Sequence, residues 1–331
     1  MPTLTGLLLG NDPNLMIRDL LPFLFFVLPL FTYGLMRGMT LRLHDLLIYT
    51  IICLGLVFSL RGHFALEAQQ TSAVPIDALY LVNAPSVLFA ALFLSLTALN
   101  IVSLRPVSWF WSLILLTLAA LPVFAMAEVL QRASIIALCV SAAFILMLKL
   151  RQSFLNSALI VLMLSSIFFI FYHEASGLIH ALLEKNRQVG HNMRLDELQA
   201  VWDTIHLSSS SILFGLGWGG TVNSPAVGGL SVNFTHSLLS AMLLKGGIIG
   251  LCLISFYLIS LSKRLLHILK LDPVLGLALF WPFIINIFFY ASYKSLDFAL
   301  ILLLIACYGR ATDHTLQGYF DPAANQRHAV R

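Results

Sequence analysis

From residue 20 to residue 309 the chain consists mainly of long apolar runs separated by short charged or turn-forming stretches. The runs fall at about 20–36, 45–60, 82–103, 108–127, 133–149, 154–172, 246–262, 274–291 and 295–309. A helix needs about 20 apolar residues to cross a bilayer, and about 17 suffice where the bilayer is thin. The pattern predicts an all-α fold, a polytopic transmembrane helical bundle of about nine spans. Asn83, Pro85 and Asn100 blur the third run and leave its start the least defined. One interruption, 173–245, is too long for a simple connector, and loops of that length tend to carry function. The implied organisation is an N-terminal transmembrane bundle (1–172), a long loop with short amphipathic helices (173–245), C-terminal transmembrane helices (246–309) and a polar tail (310–331).

The long loop has its own periodicity. In SGLIHALLEKNRQVG the apolar Leu178, Ile179, Leu182 and Leu183 recur at helical spacing, while Glu184, Lys185 and Arg187 take other faces. That predicts an amphipathic helix lying at the membrane surface. Gly190 interrupts it, and His191 follows. RLDELQAVWDTIHL then sets Leu195, Leu198, Trp202 and Ile205 on one stripe, predicting a second short helix headed by Arg194. Six glycines and one proline follow between Gly215 and Gly229. Such backbone freedom lets a main chain approach a bulky ligand closely, which makes Gly215 and Gly217 candidate binding positions. GLGWGG has neither the lysine nor the preceding strand of a nucleotide-binding loop, so a nucleotide site is not supported. Asn233-Phe234-Thr235 matches a glycosylation sequon that nothing else in the chain requires.

Composition excludes a water-soluble globule. The 331 residues are 59% hydrophobic and only 10% charged, with a mean hydropathy of +0.92, whereas soluble domains carry about 25% charged residues. The net charge of +4 is scattered between apolar runs, so no nucleic-acid-binding face is implied, and membrane lipids are the expected surroundings. Cys53, Cys139, Cys252 and Cys307 each sit within an apolar run without a CxxC pair. They are expected to be small core residues rather than disulfide or zinc ligands. The start, MPTLTGLLLGNDPN, lacks a basic n-region, so the first span is expected to act as an uncleaved targeting signal.

Charge also orients the spans. Arg37, Arg42, Arg105, Lys149, Arg151, Lys263, Arg264, Lys270 and the tail fall on one set of connections. That set is short and basic, so it is expected in the cytoplasm. The N-terminus and the long loop then lie outside.

His236 stands where the glycine-rich segment gives way to an apolar run, with Lys245 nine positions on and Gly246-Gly247 directly after. In one straight helix Lys245 would lie about 13 Å below His236, where an unpaired ammonium costs at least about 2.5–3.5 kcal/mol. A helix broken at Gly246-Gly247, with Lys245 near the headgroups, avoids that cost. His236 is then expected in the first turn of a helix, whose dipole disfavours the imidazolium, so that it can accept a proton. The alternative is a histidine that hydrogen-bonds a neighbouring carbonyl to hold the loop. Arg132, at the entrance of the fifth span, and Arg194 share the outer side. Each offers a permanently charged fork suited to phosphate oxygens, or else a headgroup-facing snorkelling side chain. A neutral base with two arginines suits chemistry on a lipid phosphate. Glu128 could orient Arg132.

The order of these motifs carries a resemblance. QRASIIALCVSAAFILML opens a span with Arg132. One span later comes a long outer loop with RLDELQAVWDTI, then FGLGWGG, then His236 with Leu239 in H-x-x-L leading to GGIIG. This resembles the O-antigen ligase and polymerase superfamily of bacterial membrane glycosyltransferases over roughly residues 128–262. Where family members usually have Ser or Thr before the first arginine, this chain has Gln131. Where they usually have Asn after the histidine, it has Ser237. They tend to have about twelve spans.

The resemblance implies a metal-independent, cofactor-free, inverting transferase at the outer face of the bacterial inner membrane. The donor would be a glycan on undecaprenyl diphosphate. The acceptor would be lipid A-core in a ligase or another lipid-linked repeat unit in a polymerase. His236 would be the base, with Arg132 and Arg194 on the diphosphate. Arg187, His191, Gly215, Gly217 and Lys245 are secondary substrate-binding candidates. A lipid-linked glycan flippase or transporter is the rival of another class. It would need matching inverted halves, which the sequence does not display.

Overall fold

Within a bilayer every backbone polar group must be satisfied inside the protein, and helices achieve this within one segment. The computed structural model describes residues 1–35, 41–67, 76–102, 106–152, 158, 160, 161, 177 and 193–311. In chain order these form α1 (Pro2–Leu8), α2 (Pro13–Leu35), α3 (Leu41–Glu67), α4 (Ile76–Val82), α5 (Pro85–Ile101), α6 (Pro106–Glu128) and α7 (Arg132–Gln152). After residue 193 come α8 (Arg194–Ile205), α9 (Ser209–Phe214), a two-stranded antiparallel hairpin of β1 (Val222–Ser224) and β2 (Leu230–Val232), α10 (Leu238–Leu271), α11 (Pro273–Phe288) and α12 (Leu296–Ala311). The all-α expectation did not include the hairpin.

Among the described residues five helices are long and apolar enough to cross a membrane: Pro13–Thr32, His44–Glu67, Ser108–Glu128, Arg132–Arg151 and Leu238–Leu271. Pro85–Ile101, Pro273–Phe288 and Leu296–Tyr308 are shorter apolar helices. The protein is thus a helical, multi-pass membrane protein. The expected total of about nine is not established by these helices, since the run at 154–172 lies almost wholly outside the described residues. The tail from 312 and the first loop helix, with Arg187 and His191, also lie outside them.

The blurred third run resolves at Pro85. Pro has no N–H to lose at the first helical position, so α5 starts there, and α4 stands apart across Asn83-Ala84. An apolar helix without a polar face is buried all round. α5 is that helix, packed against α3, α6, α7 and α11, with Phe89, Leu92 and Leu96 fully enclosed. At its start α3 approaches closely, because a Cβ on Gly55 would collide with the Ser86 carbonyl oxygen. By contrast, Cys53, Cys139 and Cys252 are exposed on the outer faces of their helices rather than in the core. A lipid-facing surface is as apolar as the interior, so residue type does not separate the two.

α10 breaks where the sequence places a break: Gly247 has φ +62° and ψ −159° within an otherwise helical segment. The break frees the Leu244 and Lys245 carbonyls from their usual partners one turn on. Leu216 N–H and Gly217 N–H take them instead, at 2.8 and 3.1 Å. α10 continues past the expected end at 262 to Leu271, and Arg264 donates to the Ala306 carbonyl of α12.

Candidate functional site

The glycine loop is held by three elements of one end of the bundle. α1 supplies the Pro2 carbonyl to Trp218 N–H at 3.0 Å. Asn11, in the turn after α1, donates through Nδ2 to the Leu216 and Trp218 carbonyls at 2.8 Å each. From α2, Asp19 accepts from Gly219 N–H at 2.8 Å and from Asn233 Nδ2 at 3.2 Å. Lys245 ion-pairs with Asp19 at 2.5 Å and donates to the Gly220 carbonyl at 2.6 Å. Lys245 is therefore buried, at 3% side-chain exposure, with its charge paired inside the protein. A carboxylate from α2 and a loop carbonyl replace water around its ammonium, which removes the cost that argued for a surface position.

Gly215 and Gly217 have left-handed φ values of +70° and +72°, and the close approach they permit is to the chain itself. A Cβ at Gly215 would lie 2.5 Å from the Lys245 carbonyl carbon, and one at Gly217 would collide with Gly6 of α1. Gly215→Ala is expected to lower stability by about 1–3 kcal/mol, seen as a depressed unfolding temperature in detergent. An unchanged temperature would mean that the loop adapts.

His236 lies one residue before Ser237, the N-cap of α10, whose Oγ accepts from Leu239 N–H at 3.3 Å. It stands just outside the helix rather than in its first turn. Serine is among the preferred N-cap residues.

The partner of His236 is Glu197 of α8. That carboxylate is buried at 1% exposure. It accepts from His236 N–H at 2.9 Å, from Ser224 Oγ of β1 at 2.7 Å, and lies 3.1 Å from His236 Nδ1. Burial by itself would raise the Glu197 pKa, but the bonds from the His236 ring, Ser224 and His236 N–H hold it below the usual carboxylate range. Glu197 is not among the sequence candidates, and the stripe of Leu195, Leu198, Trp202 and Ile205 is not one face of the packed helix. Leu195, Leu198 and Trp202 are exposed, and Glu197, Val201 and Ile205 form the buried face against Val222, Leu243 and Leu244. The spacing 197, 201, 205 is itself helical and is the signal that could have revealed it.

Arg194, one turn before Glu197, lies over the Phe289 ring at 5.2 Å. Burial lowers its pKa; Tyr290 and Glu197 oppose that shift, and the like charge of Arg132 adds to it. Tyr290 is raised by burial, against the pull of Arg194 and Arg132. Arg132, Arg194 and Tyr290 thus act on one another from α7, α8 and the segment after α11. Just before Arg132, Gln131 is buried and donates through Nε2 to Asn83 Oδ1 at 2.6 Å. Glu128 pairs with His63 of α3 at 2.9 Å.

Tyr290 and His236 both border a cavity of about 790 Å³. It extends toward Leu54 and Phe58 of α3 and also holds Arg18 and Lys294. Arg132 and Arg194 are not among the residues that line it; both act electrostatically on Tyr290, which does. Glu197 and Tyr290 thus link His236 with the two arginines: Glu197 bonds His236 and attracts Arg194, and Tyr290, which lines the cavity with His236, feels both arginines. Among the described residues no three His, Cys, Asp or Glu side chains gather as metal ligands.

Neither the protein-family models nor the curated proteins contain a match to this chain. The fold and the site carry by themselves a multi-pass helical membrane protein in which one end of the bundle holds an imidazole, a buried carboxylate and two guanidinium groups together.

Proposed function

We propose that this protein is a membrane glycosyltransferase of the O-antigen ligase type. It transfers a glycan from undecaprenyl diphosphate to an acceptor sugar hydroxyl such as that of lipid A-core, at the periplasmic face of a bacterial inner membrane. The observation that supports this best is the His236–Glu197 pair beside Arg194 and Arg132. With Nδ1 donating to the Glu197 carboxylate, Nε2 keeps its lone pair for the acceptor hydroxyl. The acceptor oxygen bonds to the anomeric carbon as its proton passes to Nε2. The bond from that carbon to the diphosphate oxygen breaks, and its electron pair leaves with undecaprenyl diphosphate. Attack opposite the leaving group inverts the carbon. Arg132 and Arg194 meet the developing negative charge, as fixed cations do most effectively away from water.

The cavity supports a one-sided site over a transport path. Its wall reaches Leu54, midway along α3, and among the described residues includes none from the opposite ends of α3 or α10. A polymerase would use the same donor and the same groups with another lipid-linked repeat unit as acceptor.

Purified protein in lipid, given an undecaprenyl diphosphate-linked glycan and acceptor, is expected to form an inverted linkage. Arg194→Ala is expected to reduce turnover by roughly 10²-fold. Transfer with retention of configuration, or none by the intact protein, would overturn the reading. In cells, loss of all attached polymer on gene deletion identifies a ligase, and attachment of single repeats a polymerase.

A further inference from the structure

The cavity beside His236 contains two cations that the proposed chemistry does not use. Lys294 sits at the end of the short 3₁₀ turn Ala291–Lys294, and Arg18 projects from α2. Among the described residues the Lys294 ammonium makes no ion pair or hydrogen bond; it lies 5.4 Å from the Phe234 ring centre and 5.9 Å from that of Tyr293. The carboxylates near it are already engaged. Asp19 is held by Lys245, Gly219 N–H and Asn233, and Asp297 by Ser86 N–H at 3.0 Å. The other charged groups facing Lys294 are cations, Arg18 and Lys245, with His236 across the cavity. A half-buried cation without a carboxylate of its own is costly and favours an anion from outside. The lining also includes the apolar Leu54, Phe58, Leu79 and Leu81. At about 790 Å³, the space falls within the 300–1,000 Å³ range of ligand pockets.

We propose that this cavity is a second anion subsite, which binds a phosphate-bearing amphiphile with its phosphate between Lys294 and Arg18 and its apolar chain along Leu54, Phe58 and Leu79. The identification of that amphiphile with the acceptor lipid rests on the transferase reading; the subsite itself does not. On that reading the guanidinium pair that acts on Tyr290 and this cation pair serve separate phosphates, donor and acceptor. Burial pushes Lys294 down to about 8, against the pull of Asp19 and with help from Lys245 and Arg18. The ammonium is therefore charged below that pH and is lost as pH rises through it.

The probe is monododecyl phosphate, titrated into the full chain in a non-ionic detergent, with inorganic phosphate as the headgroup without its chain. Wild-type protein is expected to bind the amphiphile at least about tenfold tighter than Lys294→Met or Arg18→Ala protein, the scale of one charge-assisted contact. It should bind inorganic phosphate far more weakly. Affinity should fall as pH rises through about 8, and Lys294→Arg should keep its affinity there, since arginine stays protonated. Thermal unfolding of each variant shows that it is folded.

Wild-type affinity in both Lys294→Met and Arg18→Ala overturns the proposal. So does equal affinity for inorganic phosphate, or loss confined to Arg194→Ala. If Lys294→Met abolishes binding and the intact protein transfers no glycan, the subsite stands and the transferase reading falls. If transfer proceeds and neither it nor binding responds to Lys294, the subsite alone falls.

Discussion

His236→Ala is expected to lower glycan transfer by about 10²–10⁴-fold, the range of general-base help, with membrane insertion and unfolding temperature near normal. The imidazole is 30% exposed, so little packing is lost. Its removal also frees Glu197 of only one of three bonds, since His236 N–H and Ser224 Oγ remain. Initial rates with purified protein test this, and near-normal transfer by a folded variant would end the assignment of His236 as base. Glu197→Gln is the companion test. It keeps an oxygen for His236 N–H but removes the charge that steadies an imidazolium, so it should lower turnover more than it alters KM. Glu197 also ties α8 to the hairpin and to the turn before α10. Because its pKa is held below its ordinary value of 4.5, that contribution to stability is fully present above the ordinary value. It is lost only as pH falls through the depressed folded value.

Lys245→Met is expected to destabilise the protein by about 3–5 kcal/mol, the cost of leaving one buried charge without its partner. Asp19 would keep Gly219 N–H and Asn233, but the ammonium at 2.5 Å would be gone. Asp19→Asn alone should cost a similar amount by isolating Lys245 with the Gly220 carbonyl. The double change should recover most of the loss, because it removes both charges and the Asn can still accept from Gly219 N–H. A cycle of these three variants, followed by thermal unfolding in detergent, measures the coupling. Additive single losses would show that the two groups act independently. Since Asp19 and Lys245 hold the loop leading to His236, the single variants should also lose transfer, and the double variant should regain part of it.

Much of the architecture was legible because bilayer thickness imposes a length on apolar runs. Eight runs correspond to apolar helices that begin or end within several residues of the expected positions. The Gly246-Gly247 break was legible for a similar reason: a lysine within an apolar run demands an interruption or a partner. The chain has both, and the partner lay 226 positions away at Asp19, beyond any local pattern. His236, Arg132 and Arg194 stood out as polar groups at run boundaries. Glu197 did not, because a carboxylate in RLDELQAVWDTI reads equally well as a solvated face.

By itself the sequence determined that this is a membrane-embedded helical chain with a patterned, glycine-rich segment ending at a lone histidine, since composition and run length depend on no distant contact. Tertiary structure decided which apolar faces meet protein and which meet lipid, for both are equally apolar. It also decided which charges are paired. A buried carboxylate or ammonium persists only where another segment supplies its counter-charge, and the choice of segment is made by the packing of the bundle.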